Sequence, residues 1–366
     1  MPAPPLVVRC GAFGDIVLLT PLLRLLAARH GSTVDLVSSG AWTAPLLADE
    51  PSLGHLQLVS SRHTPYFACP SQWSLVRWLR RRGRGPVYLC DVNPEMRALL
   101  ARGGVLDADI VARDPADAPP IPWPDRWLEL GMRDPPHGWP THPVDPASFR
   151  LPRLVVSAGE RRQLAAWLAG EGLDGPLVLF QPGNKRTHKR GKLLTAGHPK
   201  HWDAANWATL AAAVLAEVPG ARVLLCGSGP ERPVLEDIHD AAGRHPRIHN
   251  LAGALPVPRL LALLEVAHSM VSVDTGPAHA AAALGCPLVV MFGPAPPAQW
   301  CPLGPGAIIA LGGERGPDSR VSDIPAAAVV DAWRRLPTRP APAAAAPDGG
   351  GGGDGDQPRS QRAMRV

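Results

Sequence analysis

The sequence predicts two α/β domains, each a parallel sheet with helices on both faces. Three observations predict it. Short apolar runs alternate with helix-length segments, as βαβ units require. The alternation occurs twice, before and after a stretch rich in Pro and Trp at 115–155. A chain of 366 residues is also long enough for about two domains of ordinary size.

The elements follow in chain order. "LVVRC" (6–10) is a short apolar run, "GAFGD" a glycine loop, and "IVLLTPLLRLLAARHG" a helix that Gly31 ends. Thr20 followed by Pro21 has the form of an N-cap and first helical position, so a first turn at 15–19 is expected to break before the main helix. Strands are expected at 33–39, 56–61 and 86–92, and one short helix at 125–131 among the long loops of 115–155. Ser157 and Glu160 stand at capping-box spacing and open a new helix, which places the domain boundary near 155. The second half then reads strand 176–183, helix 203–220, strand 221–229, helices 230–242 and 257–268, strand 269–274, helix 276–285, strand 287–293 and a closing segment 323–336. From Pro337 the composition collapses to Pro, Ala, Gly and Asp, which cannot bury enough apolar area to fold, so 337–366 is expected to be a disordered tail.

Composition narrows the function classes. Apolar residues make up 45% and charged residues only 19%, with 37 Gly and 44 Pro in loops and tail. The net charge of +5 fits anionic small molecules or an anionic membrane surface better than nucleic acid, for which no motif is present. Six scattered cysteines without a CxxC pair read as buried free thiols of a reducing compartment, the cytoplasm. The amino terminus lacks the basic and apolar regions of a signal peptide. The apolar run around 280–298 is interrupted by Gly285, Pro287, Gly293 and Pro294, so it reads as helix end, turn, strand and loop rather than a membrane span.

Several motifs carry chemistry. In "CGAFGDIVLLTP", Gly11 and Gly14 let backbone approach a ligand, and Asp15 stands at the mouth of a helix, either as a capping residue or as a general base facing the cleft. A dinucleotide fingerprint would need GxGxxG, and only GxxG is present. In "VSVDTGPAHAAAALGCPLVVMFGP", Asp274, Thr275 and Gly276 end a strand where a helix begins. Its free N–H groups and dipole suit a diphosphate, and His279 lies one turn on. All four lysines fall within 184–200, "NKRTHKRGKLLTAGHPK", while every other basic residue outside it is arginine. Gly183 and Asn184 end a strand and face the same cleft, and Lys200 directly precedes a helix, placed to stabilise a phosphate leaving group. Lys185, Lys189 and Lys192 read as a solvated loop or as the lining of the cleft entrance. Glu231 starts a helix and either stabilises it or meets ribose hydroxyls. "LVRWLRRRGRG" (75–85) is either a solvated helix end or a contact for anionic lipid. No metal-ligand spacing is present, and no DxD pair reads as a magnesium–diphosphate site.

Three of these stretches, "GAFGDIVLLTPLLRLL", "PGN…KHWDAANWATLA" and "VDTGPAHAAAALGCPLVVMFGP…W", resemble the family-nine glycosyltransferases, the lipopolysaccharide heptosyltransferases and their relatives, over residues 6–336. The resemblance implies a GT-B fold of two Rossmann-like domains. Residues 1–155 would hold the acceptor, a lipopolysaccharide-core or other glycan, and 156–336 the nucleotide-sugar donor, with ADP-heptose expected. It implies inversion without a metal or cofactor, on the inner face of the cytoplasmic membrane or free in the cytoplasm. By resemblance Asp15 is the general base and Lys200 binds the donor diphosphate. Gly183 and Asn184 lie beside the phosphates, Asp274 meets the sugar hydroxyls, Thr275 and Gly276 the phosphates, and Glu231 the ribose. His279 belongs to the same motif. The stretch between Asn184 and Lys200 departs from the family by being longer and more basic. The alternatives are another nucleotide-sugar donor, a nicotinamide-dependent oxidoreductase, and a non-catalytic sugar-nucleotide-binding protein.

Overall fold

A computed structural model describes residues 3–91, 93–112, 121–183, 188–189, 192–193, 197–337 and 339. The first half holds strands β1 (Leu6–Val8), β2 (Val34–Ser38), β3 (Leu53–Leu58), β4 (Val87–Leu89) and β5 (Ile110–Ala112). Its helices are α1 (Phe13–Val17), α2 (Thr20–His30), α3 (Thr43–Leu46), α4 (Pro70–Arg82), α5 (Pro94–Arg102) and α6 (Trp123–Met132). The second half has α7 (Ala158–Gly170), β6 (Leu177–Gln181), a small hairpin of β7 (His188–Lys189) and β8 (Lys192–Leu193), α8 (Ala204–Glu217), β9 (Arg222–Leu225), α9 (Arg232–Ala241) and β10 (Ile248–Asn250). It continues with α10 (Val257–Val266), β11 (Ser269–Val273), α11 (Gly276–Ala283), β12 (Leu288–Phe292), α12 (Pro297–Trp300), β13 (Ile308–Gly312) and α13 (Ala326–Arg334).

Each half builds one parallel sheet. The first runs β3-β2-β1-β4-β5 and the second β10-β9-β6-β11-β12-β13. Parallel strands covered by helices on both faces must be apolar throughout. The central strands β1, β6, β11 and β12 are accordingly buried at every position. The sequence expectation holds for these strands within one or two residues. The helix break also occurs, one or two residues earlier than expected: α1 spans Phe13–Val17, and the N-cap of α2 is Leu19 rather than Thr20, whose hydroxyl donates to the Val17 carbonyl at 2.8 Å instead of capping the helix. The third strand runs 53–58 rather than 56–61. It is a sheet edge, half exposed, so its most apolar residues do not mark its ends.

The two sheets meet where the chain leaves β1 and β11. The first turn of α1 packs on the first turn of α11, α3 packs on α10, and Trp123 of α6 lies against Trp300 of α12 with ring centroids 5.2 Å apart. One apolar cluster runs through both halves, from Val7 and Leu22 to Leu261 and Phe292. Arg339 departs from the expected tail. Its guanidinium donates to the carbonyls of Leu264, Glu265, Leu284 and Gly285, covering groups that the ends of α10 and α11 leave unpaired. The rest of the expected tail, 340–366, lies outside the described residues.

Lys200 does not start a helix as its sequence position implied. Helix α8 begins at Ala204, and Lys200 stands in a turn before it. What fixes that turn is Trp202, 1% exposed, packed edge-on against Trp207 and donating through Nε1 to the Ile324 carbonyl at 2.8 Å. Replacing Trp202 with Ala should therefore cost about 3–5 kcal/mol of stability. Urea unfolding of the purified chain measures this, and a loss under about 1 kcal/mol would show that the turn is anchored elsewhere.

Candidate active site

The first-domain half of the site grows from the end of β1. Arg9 and Cys10 leave the strand, Gly11 and Ala12 turn, and α1 carries Asp15 in its first turn. The carboxylate is held at both oxygens. Arg9 donates to Oδ1 at 2.9 Å and the Ala12 N–H to Oδ2 at 2.7 Å. The second bond is the capping reading of Asp15, and it coexists with a carboxylate that stays partly exposed at 18%. Gly11 is required sterically, because a Cβ there would stand 2.5 Å from the Asp15 Cβ. Arg9 is itself placed by aromatic rings, its guanidinium 5.4 Å from the Trp127 centroid and 5.8 Å from that of Trp123.

The second-domain half grows from the end of β11. Asp274 is nearly buried, Thr275 is the N-cap of α11, and Gly276 is its first residue. The Thr275 hydroxyl lies 3.1 Å from that of Ser272 and makes no capping bond, so the first-turn N–H groups of α11 are not capped by it. Lys200 comes in from the turn fixed by Trp202. Its Nζ donates to the Asp274 carbonyl at 2.8 Å and to Asp274 Oδ2 at 2.5 Å. The approach is closed behind by Gly293, where a Cβ would meet the Pro199 carbonyl at 2.6 Å. Burial and charge here are unequal: the lysine side chain is 21% exposed and the aspartate 9%.

His279 joins the two halves. It is 4% exposed, with Nε2 4.0 Å from Asp274 Oδ1, and among the described residues its Nδ1 has no hydrogen-bond partner. Its ring lies so close to Gly14 that a Cβ there would be 2.8 Å from Cδ2, while a Cβ on Gly276 would be 2.9 Å from Phe13. Burial lowers its pKa below the ordinary imidazole value. The Lys200 charge pushes the same way, and the Asp274 and Asp15 carboxylates partly oppose both.

Glu231 sits where β9 passes into α9. It is 6% exposed, and its Oε2 accepts from the Ser228 N–H and hydroxyl, each at 2.7 Å. Its Oε1 has no hydrogen-bond partner among the described residues and points at Gly183, where a Cβ would be 2.2 Å away. Gly183 and Glu231 are thus brought together, as are Gly11, Gly14, Asp15, Lys200, Asp274, Thr275, Gly276 and His279 at the junction of the halves. Asn184 and Lys185 lie outside the described residues. Lys189 and Lys192 pair through their backbones in the small hairpin.

Sequence reasoning missed Arg9, Ser228 and the tryptophans at the domain junction. Arg9 was visible as a basic residue at the end of an otherwise apolar strand, the position from which a strand presents its side chain to a cleft. Trp123 and Trp300 were visible only as members of a Trp-rich loop and a motif end. Among the described residues no group of three or more His, Cys, Asp or Glu is placed to hold a metal ion. Five of the six cysteines are buried and all are free, and burial pushes the thiols of Cys10, Cys90, Cys226 and Cys286 up to about 12. No described helix is long and apolar enough to cross a membrane.

Residues 153–324 match the family model of glycosyltransferase family 9 (heptosyltransferase). Lipopolysaccharide heptosyltransferase 2 of Salmonella typhimurium is 26% identical over 304 residues, covering 78% of this chain and 81% of its own. The enzyme of the same name from Escherichia coli K12 is 26% identical over 318 residues, with the same coverage. Among solved structures, E. coli ADP-heptose LPS heptosyltransferase II superposes with a TM-score of 0.69 at 22% identity, over 91% of this chain and 98% of that one. E. coli heptosyltransferase WaaC with ADP gives 0.64 at 20% identity, over 90% and 98%. The fold is GT-B, two parallel-sheet α/β domains facing each other.

The depressed His279 pKa makes a prediction for stability. As pH falls through the unfolded-state value of about 6.5 towards the lower folded value, the unfolded chain takes up a proton that the buried ring resists, and stability is lost. His279→Gln should lose less over the same interval. Parallel pH profiles of urea unfolding for the two proteins would show that this ring is not what titrates.

Proposed function

We infer, from a chain that is a heptosyltransferase-like glycosyltransferase of family 9, that it moves a heptose-type sugar from ADP-heptose to a lipopolysaccharide-core or other glycan acceptor with inversion at the anomeric carbon. One observation carries the reading. The first turn of α1, which bears Asp15, packs on the first turn of α11 through Gly14 and Gly276, beside the Lys200–Asp274 pair, so a carboxylate of one domain and a cation of the other stand at one junction. The names of the curated relatives support heptose as the transferred sugar.

The reaction is a direct displacement. An acceptor oxygen forms its bond to the anomeric carbon as the bond from that carbon to the diphosphate oxygen breaks. Asp15 takes the hydroxyl proton, and the nucleoside diphosphate leaves. Carboxylates are weak bases, so the proton moves late, once the attacking hydroxyl has become acidic. Arg9 and the Ala12 N–H aim the carboxylate. Lys200, the first turn of α11 and Gly276 receive the charge that develops on the diphosphate. Glu231 Oε1 accepts from a ribose hydroxyl, and Asp274 orients the transferred sugar. The reading needs no cofactor beyond this second substrate, and it fits a protein of the cytoplasm, either free there or on the inner face of the cytoplasmic membrane.

The groups named here meet ribose, diphosphate and sugar, which any nucleoside-diphosphate sugar carries. A different donor, such as a UDP-sugar, is therefore the second reading.

Asp15→Asn should lower transfer by at least about a hundredfold while leaving donor binding intact. Normal turnover in that variant would sink the assignment of the base, and donor binding without turnover in either protein would favour a non-catalytic sugar-nucleotide-binding protein. Lys200→Ala should weaken the thermal stabilisation given by ADP and ADP-heptose. Stabilisation by UDP alone would keep the mechanism and change the donor, and no shift with any nucleotide would remove the donor site.

A further inference from the structure

We propose that the outer face of α4 docks this protein on an anionic lipid bilayer, through Phe67, Trp73, Arg77 and Arg80 with Arg81 and Arg102 at the margin. The helix divides cleanly. Gln72, Leu75, Val76 and Leu79 are buried against the first sheet. Trp73, Arg77 and Arg80 are spaced by four and three residues, so they form one stripe on the opposite side, and all three are exposed.

The charge on this stripe is uncompensated. Helix α4 contains no Asp or Glu. Nearby arginines have carboxylate partners, Arg82 with Asp35, Arg84 with Asp109 and Arg97 with Asp107. Among the described residues Arg77, Arg80 and Arg81 have none. Trp73 on the stripe and Phe67 in the turn before α4 are left in water, 41% and 79% exposed. A phenyl ring left that open in solution has no packing role in the fold, while aromatic rings with neighbouring basic residues suit the headgroup region of a bilayer.

The aromatic and basic groups are fixed as one surface. Trp73 Nε1 donates to the Tyr66 carbonyl at 2.6 Å, the Arg102 guanidinium lies 4.2 Å from the Tyr66 ring centroid, and Arg80 donates to the Arg102 carbonyl at 3.2 Å. The segment before it reaches the site. Arg62 donates to the Cys10 carbonyl at 3.3 Å, next to Gly11, and pairs with Asp91. The chain that leads into this surface is therefore anchored at the end of β1, next to Gly11. Lipid is favoured over nucleic acid because two unpaired arginines on the stripe and a third at its margin are few for tracking a phosphate backbone, whereas the exposed Phe67 has a use in a bilayer. The inference deepens the proposed function and rests on it in one respect: an acceptor carried on lipid is reached from a membrane surface.

The test is sedimentation of the purified full chain with phosphatidylcholine vesicles, with and without phosphatidylglycerol. The wild type should pellet with the anionic vesicles, less so as salt is raised, and stay in solution with the neutral ones. Arg77→Glu with Arg80→Glu should weaken that binding at least about tenfold, and Phe67→Ser with Trp73→Ser should weaken it as well. Both double variants should keep the wild-type melting temperature, since the positions are exposed. Absence of pelleting by the wild type, unchanged binding by both variants, or capture of a duplex oligonucleotide in place of vesicles would overturn the proposal. Vesicle binding needs no turnover, and transfer to a lipid-free acceptor needs no vesicle, so failure of the docking surface and failure of the enzymatic reading are told apart.

Discussion

The contact of α1 on α11 is the constraint on which the site depends. Two helix first turns from different sheets can approach this closely only if neither carries a side chain at the crossing. Gly14 and Gly276 provide that, with His279 and Phe13 filling the space a Cβ would take. The same contact brings the residue after Gly14, Asp15, to the strand end that carries Asp274. A larger residue at either glycine would separate the halves by the thickness of a methyl group or more, and Asp15 and Lys200 would no longer share a junction. The surrounding contacts, α3 on α10 and Trp123 on Trp300, follow from and reinforce that approach.

Around that junction the charges are arranged as two pairs with a buried imidazole between them. Arg9 and Asp15 lie on one side, Lys200 and Asp274 on the other. The imidazole of His279 has no room for solvent, and burial opposes its protonation, so it separates the pairs without adding a third charge. A charged ring there would draw both carboxylates inward and compete with Lys200 for Asp274. A neutral one leaves each carboxylate to its own cation.

How much was legible in the sequence depended on burial. The strands at sheet centres announced themselves, because a strand covered on both faces is a near-continuous apolar run, as in Leu6–Val8 and Leu288–Phe292. The edges did not. Of the four edge strands, β3 was expected three residues late, and β5, β10 and β13 were not expected at all. An edge strand needs only one apolar face and can be as short as Ile110–Ala112, so its pattern merges with that of loops. The site followed the same logic. Asp274, Thr275, Gly276 and Lys200 lie in short motifs local to one strand end or turn, and they could be read. Arg9 gains its meaning from Trp127, which folds against it and which no local spacing reveals, whereas Ser228 and Glu231 stand at capping-box spacing, a local signal that was there to be read.

The use of lysine at position 200, in a chain whose basic residues are otherwise almost all arginine, has a physical reason in this geometry. The Lys200 ammonium is a compact charge on a flexible stem, and it contacts both the backbone carbonyl and the side chain of Asp274. An arginine in its place would meet the Asp274 carboxylate with a planar fork and bind it at two points, a pairing that favours a permanent structural bridge. In the proposed reaction the cation must leave a carboxylate for a diphosphate oxygen when donor binds and return when the product leaves. A point charge with three rotatable donors can make that exchange with small movements of its stem. The turn that carries it, fixed from behind by Trp202 and closed at Gly293, limits those movements to the side chain. Rigidity in the backbone and freedom in the last few bonds are what a donor site of this kind requires, and the residues from Pro199 to Trp202 supply both.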